Sequence, residues 1–358
     1  MAKSDRFSRR IESTIPDRQK ALIDDISSAC DKFEKEILGR EWSKVEDRKH
    51  DDKGHLMEVR NAGKLGKSNV RGIAVGHKFV NGRDTEDPCI QVLVEIKASP
   101  EAVADDALVP PSYSGITTDT IRVGILRARS GSQLKPLASL NPLERHRPAP
   151  GGVSVGHTSI TAGTLGCWCT SEKEDALMLS NNHVLAASNQ GQEGDPIVQP
   201  GPLEGGRDPR DKIAELGKFV PLDFNGGDNF VDAALAKPVN MADVSPEILN
   251  IGRVTGLVCN AAINTAVQKS GRTTGHTTGE ISGLNATVRV DYREAGTALF
   301  RGQYLITPGG FSDGGDSGSL IVTNSNRAIA LLFGGSDIQT IANPICRVMD
   351  DLDITGFL

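Results

Sequence analysis

The sequence predicts an all-β double β-barrel, preceded by a small α+β domain and an N-terminal amphipathic helix. Three observations support this architecture. Residues 151–358 are rich in Gly and Thr and contain many short apolar runs, as barrel strands and their corners require. Aromatic residues make up only 4% of the chain while glycines number 39, a balance that favours short strands and tight turns. At 358 residues, the chain also exceeds what one hydrophobic core usually supports.

The N-terminal extension, residues 1–54, contains the amphipathic helix. Apolar side chains recur over residues 15–40 at steps of three and four residues, with charged residues between them: Leu22, Ile26, Ala29, Phe33 and Ile37. This apolar stripe needs a partner surface. Two interpretations stay open: the helix packs on its own chain, or it pairs with a second copy in a homo-oligomer.

The small α+β domain is predicted over residues 55–128. Alternating apolar residues indicate strands in 69–80 and 89–98, and Asn81-Gly82 indicates a hairpin whose loop is lengthened by Asp84 to Pro88. No nucleophile, base and acid assemble there, so we expect a regulatory, inhibitory or recruiting role. Residues 129–150 lack apolar periodicity and are predicted to be an exposed linker, open to self-processing.

Charge and hydropathy limit the partners. With a net charge of −6, the chain has no general attraction for nucleic acid or an anionic membrane, so neither is expected. No stretch is apolar enough to span a bilayer, and the first 20 residues lack the apolar core of a secretory signal. We therefore expect a cytoplasmic protein.

In a reducing cytoplasm, the six cysteines are expected to be mostly buried thiols. Cys167 and Cys169 lie two residues apart, but no further ligands at matched spacing accompany them. Neither a metal nor an organic cofactor is expected.

Three segments carry the residue types that amide hydrolysis requires: a nucleophile, its base, an acid that holds the base, and donors for the oxyanion. Ser317 lies in GGDSGS, where glycines let the chain turn sharply and aim the amides of Gly315 and Ser317 at one point. His183 follows an apolar run, at a predicted strand end. Asp232 precedes alternating apolar residues, at the start of another strand.

Each feature alone is weak, because a lone histidine is more often structural and a Gly-Asp-Ser-Gly string also occurs in turns. The order His183, Asp232, Ser317 is more specific, with room for one barrel to carry the first two and a second to carry the serine. Asp228 is the rival for the acid. Its setting in FNGGDNF is typical of a turn, which favours Asp232.

The segments SNNHV, VDAALA and GGDSGSL resemble the triad motifs of trypsin-like (chymotrypsin-fold) serine proteases, in that family's order. VQKSGRTTGHTTGEISGLNATV, at 267–288, is similar to a strand-turn-strand of bacterial streptogrisin and α-lytic-type proteases. SNNHVLA and DPIVQPGP also resemble intracellular trypsin-like proteins, among them plant Narrow-leaf proteins. Over residues 150–355, the resemblance implies a serine endopeptidase that acts on peptide or protein substrates.

Departures from the family pattern bear on specificity. Secreted relatives carry a cysteine after the triad histidine, whereas Val184 stands here, in keeping with an intracellular protein. Relatives that cleave after basic residues carry an aspartate six residues before the nucleophile, where this chain has Phe311. The resemblance places Phe333, Gly334 and Gly335 in the pocket wall and implies a preference for a small or medium apolar side chain.

The resemblance also implies an activation pair. Asp316 matches the aspartate that pairs with a newly cut N-terminal amine in digestive members, or with an internal arginine in streptogrisin-like members; that basic position falls at Lys269. Lys269 either neutralises Asp316 without cleavage or is a solvated surface charge. Two alternatives to a general endopeptidase stay open: a binding or scaffold protein with this fold, and a protease restricted to itself or to one partner.

Overall fold

The computed structural model describes residues 11–13, 17–39, 64–128 and 141–358. Within these ranges, three α-helices occur among many strands: α1 (Asp17–Phe33), α2 (Asn182–Leu185) and α3 (Ile345–Leu352). The strands of the N-terminal part are β1 (Ile11–Ser13), β2 (Val70–Val80), β3 (Arg83–Val94), β4 (Ser112–Tyr113), β5 (Ile116–Arg122) and β6 (Arg127–Ala128). Those that follow as far as residue 238 are β7 (Ala149–Gly151), β8 (Ser154–His157), β9 (Gly163–Thr164), β10 (Cys167–Ser171), β11 (Leu177–Ser180), β12 (Pro196–Val198), β13 (Lys212–Phe219), β14 (Asp228–Asn229) and β15 (Ala234–Pro238). The remaining strands are β16 (Val244–Ile248), β17 (Gly252–Arg253), β18 (Gly256–Asn260), β19 (Ala266–Gly271), β20 (Gly275–Asp291), β21 (Thr297–Thr307), β22 (Leu320–Thr323), β23 (Arg327–Gly335), β24 (Thr340–Pro344) and β25 (Ile354–Phe357).

Six strands of the C-terminal part close into a barrel, in the order β20, β21, β24, β23, β22, β19 and back to β20. The 17-residue β20 makes closure possible because it pairs with β19 through its first part and with β21 from Glu280 to its end. Val267, Ile281, Ile306 and Ile321 are fully buried in the interior. The strand-turn-strand predicted over 267–288 is confirmed as β19 and β20.

A second sheet of eight strands precedes and flanks this barrel, in the order β25, β10, β11, β15, β13, β12, β8, β9. Its core includes Trp168, Met178 and Ile213. Ser180 pairs with Ala234 where β11 ends and antiparallel β15 begins, so the residues just beyond both points lie at the same sheet edge. The mostly β architecture predicted from the sequence is confirmed.

The N-terminal strands join the barrel's sheet. β2 pairs with β20, β3 with β2, and β5 with β3 in parallel. Asn81 and Gly82 form a two-residue hairpin turn with φ of 51° and 76°, the left-handed values that tight hairpins require. The longer loop expected over Asp84 to Pro88 is wrong, because β3 already begins at Arg83.

The predicted boundaries at residues 54, 128 and 150 stay predictions. Residues 129–140, most of the expected linker, lie outside the described residues, as do residues 40–63. The end of the linker that is described makes fixed contacts: Arg147 Nη1 donates to Gln199 Oε1 at 2.6 Å.

Helix α1 packs on its own chain. Ile26, Ala29 and Phe33 are at most 5% exposed and join Ile73 and Ile90 of the N-terminal strands in one hydrophobic cluster. Leu22, the first residue of the predicted stripe, is 44% exposed. The same chain covers Ile26, Ala29 and Phe33, so the structure gives no support for a homo-oligomer formed through them.

Two of the six cysteines form a disulfide, which the sequence analysis did not expect. Cys259 at the end of β18 is bonded to Cys346 in α3, with a Cα–Cα distance of 5.3 Å. The other four cysteines are buried thiols, as expected. Burial raises the pKa of Cys30 and of Cys89 to about 12, so neither thiol is a reactive nucleophile.

Candidate active site

His183 and Asp232 meet at the edge of the eight-stranded sheet. His183 lies in α2, three residues past the end of β11, and Asp232 lies two residues before β15. Because Ser180 pairs with Ala234, this register brings the two side chains together: His183 Nδ1 lies 2.5 Å from Asp232 Oδ2, and the His183 amide donates to Asp232 Oδ1 at 3.2 Å. Asp232 is fully buried and His183 is 8% exposed. The carboxylate therefore fixes both the ring and the backbone of the histidine.

Two asparagines hold the backbone of Asp232. Asn343 Oδ1 accepts from the Asp232 amide at 3.0 Å, and Asn181 Nδ2 donates to the Asp232 carbonyl at 2.6 Å. Asn343 comes from β24 of the barrel, so its bond also ties the barrel to the sheet. These bonds leave Asp232 little freedom to move away from His183.

Tyr292 is a third partner of the pair, and the sequence analysis missed it. Its hydroxyl donates to Asp232 Oδ2 at 2.7 Å, and its ring lies edge-on to His183 with 5.8 Å between centroids. Burial, followed by the charge of Asp232, raises the pKa of Tyr292 well above its ordinary value. The hydroxyl therefore stays protonated and donates to the carboxylate.

Ser317 lies in the turn that leads into β22. The turn is fixed to the neighbouring elements: the Gly318 amide donates to Leu332 O at 2.9 Å, and the Ser317 carbonyl accepts from the Thr164 amide at 2.8 Å. Gly318 has a φ of 96°, and a Cβ there would lie 2.1 Å from Ser180 Oγ. The turn therefore requires glycine at this position, as the motif suggested.

The structure brings the serine turn next to the histidine helix. A Cβ on Gly163 would lie 2.4 Å from a methyl group of Val184 and 3.1 Å from Ser317 O, so both elements contact the same glycine. The Ser317 hydroxyl donates to Phe333 O at 3.1 Å, while His183 Nε2 is buried and has no hydrogen-bond partner within the described residues. For Ser317 to bond to Nε2, its hydroxyl must turn away from Phe333.

Two backbone amides beside the serine point to no acceptor. The amides of Gly315 and Ser317 donate no hydrogen bond within the part of the chain that the structure describes. The carbonyl of Gly315 is engaged instead, accepting from Thr164 Oγ1 at 2.8 Å. Gly315 has a φ of 99°, and a Cβ there would lie 2.3 Å from Arg272 Nη1. Paired amides in such a turn are suited to hold a negatively charged oxygen.

Asp316 and Lys269 form a fully buried ion pair, with Nζ 3.2 Å from Oδ2. Asp316 Oδ1 also accepts from the amides of Thr273 and Thr274 at 2.8 and 3.2 Å. Burial by itself raises the pKa of Asp316, but the charge of Lys269 and the hydrogen bonds from the Thr274 hydroxyl and the amides of Asp313 and Thr273 outweigh it and lower the pKa. The interpretation of Lys269 as a solvated surface charge is wrong, since its side chain is 0% exposed.

The side chains predicted to line a specificity pocket lie in two hydrophobic cores. Phe311 is 1% exposed inside the barrel, where Lys269 Nζ lies 5.8 Å from its ring centroid. Phe333 is fully buried against Phe300, with 4.6 Å between ring centroids. Gly334–Gly335 pair with β6. Their role in substrate selection stays a prediction.

Asp228, the rival acid, is bonded to Arg301 and not to His183. It is exposed in β14, and its Oδ1 accepts from Arg301 Nε at 2.6 Å. The described residues contain no cluster of three or more His, Cys, Asp or Glu side chains placed to bind a metal ion. In the same ranges, no helix has the length and apolar character needed to cross a bilayer.

Comparison with known proteins gives similarity to solved structures. A scan against protein-family models finds no match, and a search of curated proteins finds none. Cellulomonas bogoriensis chymotrypsin is 18% identical and covers 58% of this chain and 97% of its own, with a TM-score of 0.41. Thermobifida fusca protease A is 20% identical over 58% of this chain and 97% of its own, with a TM-score of 0.42.

A glutamic acid specific serine protease, described as using a histidine triad in substrate binding, is 16% identical, covers 59% of this chain and 100% of its own, and has a TM-score of 0.44. These solved structures are chymotrypsin-fold serine proteases at low identity. With TM-scores below 0.5, the similarities carry no weight for an activity or for the role of any residue.

Proposed function

We propose that the protein is a serine endopeptidase that cleaves peptide bonds through Ser317, His183 and Asp232. One observation supports this most. The helix of the bonded His183 and the turn of Ser317 both contact Gly163, and His183 Nε2 and the amides of Gly315 and Ser317 have no partner within the described residues. Buried polar groups are seldom left unpaired, so a cluster of them indicates a site that takes its partner from outside the chain.

The proposed reaction begins when the Ser317 hydroxyl turns from Phe333 O to His183 Nε2. His183 removes the proton as Ser317 Oγ attacks the peptide carbonyl, and Asp232 stabilises the resulting imidazolium through Nδ1–H. The amides of Gly315 and Ser317 donate to the oxyanion, an interaction worth about 2.7–4 kcal/mol per donor. His183 then protonates the leaving amine, and water hydrolyses the acyl-enzyme by the same steps in reverse.

Labelling of the nucleophile tests this function. A fluorophosphonate should modify Ser317 in the wild-type chain, as located by peptide mass spectrometry, and Ser317→Ala should remove the label. The same two proteins incubated with a diverse peptide library should separate endopeptidase activity from a binding or scaffold role. If no chain that keeps Ser317, wild type or variant, labels or cleaves while the serine is intact by mass, the proposal is contradicted.

The peptide library also measures which side chain the protein prefers before the cleaved bond. We propose a preference for a small or medium apolar side chain before the cleaved bond, supported by an apolar Phe311 where basic-specific relatives have an aspartate. Enrichment of cleavage after Lys or Arg would contradict it.

A cytoplasmic location belongs to the same proposal and is supported by Val184, which stands where secreted relatives carry a cysteine. The Cys259–Cys346 disulfide opposes it, because structural disulfides are rare in a reducing cytosol. Thiol alkylation in intact cells, followed by mass spectrometry, measures whether the two cysteines are bonded there. Cell fractionation then decides the location directly.

A further inference from the structure

A short strand from the N-terminal part of the chain lies beside the candidate nucleophile. β6 pairs antiparallel with Gly334–Gly335, the end of β23. The preceding residue of β23 is Phe333, whose carbonyl accepts from Ser317 Oγ at 3.1 Å. β6 therefore runs along β23 toward the serine, and Ala128 lies opposite the residue next to Phe333.

A peptide that pairs with this edge of β23 would run toward Ser317. One side of β23 is covered by β24 over its whole final part, as far as Gly335. The other side of β23 pairs with β22 as far as Leu331. The turn at Gly318 and Ser319 then bonds to Leu332, and this turn covers β23 no further along the strand. Beyond that turn, the edge at Gly334–Gly335 is where an extended peptide can add a strand and place a carbonyl at the serine. β6 lies in that position.

Several contacts hold β6 there. The Asp291 amide donates to Leu126 O at 3.0 Å, and Arg127 Nε lies 3.5 Å from Asp291 Oδ2. Leu126 is 1% exposed and shares a hydrophobic cluster with Phe333 and with Tyr292, the partner of the candidate acid. The segment that contains β6 is therefore packed into the core beside the site.

The position of β6 also depends on the N-terminal strands. The Val123 amide donates to Val94 O at 2.8 Å, which ties the approach to β6 to the end of β3. Ser336, the residue after β23, donates its hydroxyl to Val123 O. A change that breaks the bond between Val123 and Val94 should therefore loosen β6 as well.

We propose that β6 is a built-in inhibitor, which occupies the peptide-binding edge of β23 and keeps the intact chain in a slow state. This proposal rests on the proposed peptidase function. A substrate must compete with β6 for the same backbone groups. Because β6 is part of the same chain, its effective concentration at the edge is high, on the order of millimolar for a short flexible tether.

The experiment compares full-length chains that differ in the contacts that keep β6 on β23. Arg127→Glu replaces the contact with Asp291 by a repulsion, while Arg122→Glu makes the same charge change at an exposed position in β5 and serves as the matched control. Leu126→Ala removes apolar packing and is the second loosening variant. The rate of Ser317 labelling by a fluorophosphonate and the hydrolysis of a short peptide anilide are measured for each. Hydrogen exchange at Gly334 and Gly335 reports whether β6 has opened.

We expect Arg127→Glu and Leu126→Ala to label and hydrolyse at least about tenfold faster than wild type, with faster exchange at Gly334 and Gly335. Arg122→Glu should match wild type. A synthetic peptide of residues 121–128 should slow the two loosened variants more than a scrambled peptide does. Equal labelling rates in wild type and both loosened variants would overturn the β6 proposal alone. Absence of Ser317 labelling in every chain would instead overturn the proposed function, and the β6 proposal with it.

Discussion

The two sides of the candidate site differ in how fully their polar groups are hydrogen-bonded. On the sheet side, the Asp232 carboxylate accepts from the amide and ring of His183 and from the Tyr292 hydroxyl. On the barrel side, Ser317 Oγ donates only to a backbone carbonyl, and the amide of Gly315 donates to nothing within the described residues. The Asp232 carboxylate is therefore preorganised, whereas the serine turn, like His183 Nε2, has bonding capacity left for a substrate.

This difference separates two kinds of substitution. Changes on the barrel side should remove the reacting group or the donors for the oxyanion, and changes on the sheet side should act through the orientation of His183. Four predictions test that division, from the largest expected effect to the smallest.

Ser317→Ala removes the proposed nucleophile. By analogy with measured triad substitutions, turnover should fall about 10⁶-fold, leaving ~10³–10⁴-fold catalysis over the uncatalysed reaction. The fold should survive, because a small hydroxyl is replaced by hydrogen. Steady-state hydrolysis measures the loss, with Ser325→Ala, an exposed serine after β22, as the control. Comparable loss in the control would point to damage unrelated to the site.

Asp232→Asn keeps the shape of the acid but exchanges its charge for an amide, which favours the wrong tautomer of His183. Turnover should fall about 10⁴-fold by analogy with the same change in a characterised triad. Asp228→Asn, at the exposed partner of Arg301, should change turnover little. The reverse ranking would transfer the acid's role to Asp228.

Lys269→Met leaves the Asp316 carboxylate buried without its cation. Breaking a buried pair this way costs about 3–5 kcal/mol, which should disturb the turn that aims the Gly315 amide and lower turnover about 10²–10³-fold. Lys237→Met is the matched control, because its pair with Glu174 is 2.9 Å long but exposed. Intact mass should confirm that the active chain is uncut. Full activity of Lys269→Met in an uncut chain would exclude internal activation by this pair.

Tyr292→Phe removes one hydrogen bond to Asp232 and keeps the ring beside His183. Hydrogen bonds to charged groups contribute about 1.5–3 kcal/mol, so turnover should fall about tenfold or somewhat more, with little change in KM. The split between kcat and KM separates this positioning role from a loss of substrate binding. An unchanged kcat would mean that the two remaining bonds from His183 suffice to hold the acid.

Local sequence was enough to single out the residues that we propose for the reaction. Ser317 was recognisable because a sharp turn that frees two amides needs glycine at fixed positions, and Gly315 and Gly318 both adopt positive φ. Asp232 was favoured over Asp228 by its place before a predicted strand, although Asp228 lies in the short strand β14 and not in the turn that its glycines suggested. The two-residue hairpin at Asn81 followed from turn chemistry, although its flanking strand starts earlier than expected.

Two contacts made over long chain separations were missed. Tyr292 reaches Asp232 across 60 residues, and nothing in its local sequence, DYREAG, marks it as a partner of the acid. Cys259 and Cys346 lie 87 residues apart, and the expectation of a reducing compartment suggested thiols. Each contact depends on how whole strands are brought together, which periodicity within one segment does not report.

The sequence by itself determined the chemistry: which side chains can act as nucleophile, base and acid, and where glycine must stand, because these depend on residue type and local backbone torsion. Only the tertiary structure decided what surrounds them. It paired Lys269 with Asp316, set Tyr292 on the acid, and laid β6 along Gly334–Gly335. The physical reason is that closing a barrel and extending its sheet joins edges far apart in the chain, and strand pairing through backbone groups leaves little signature in the side chains.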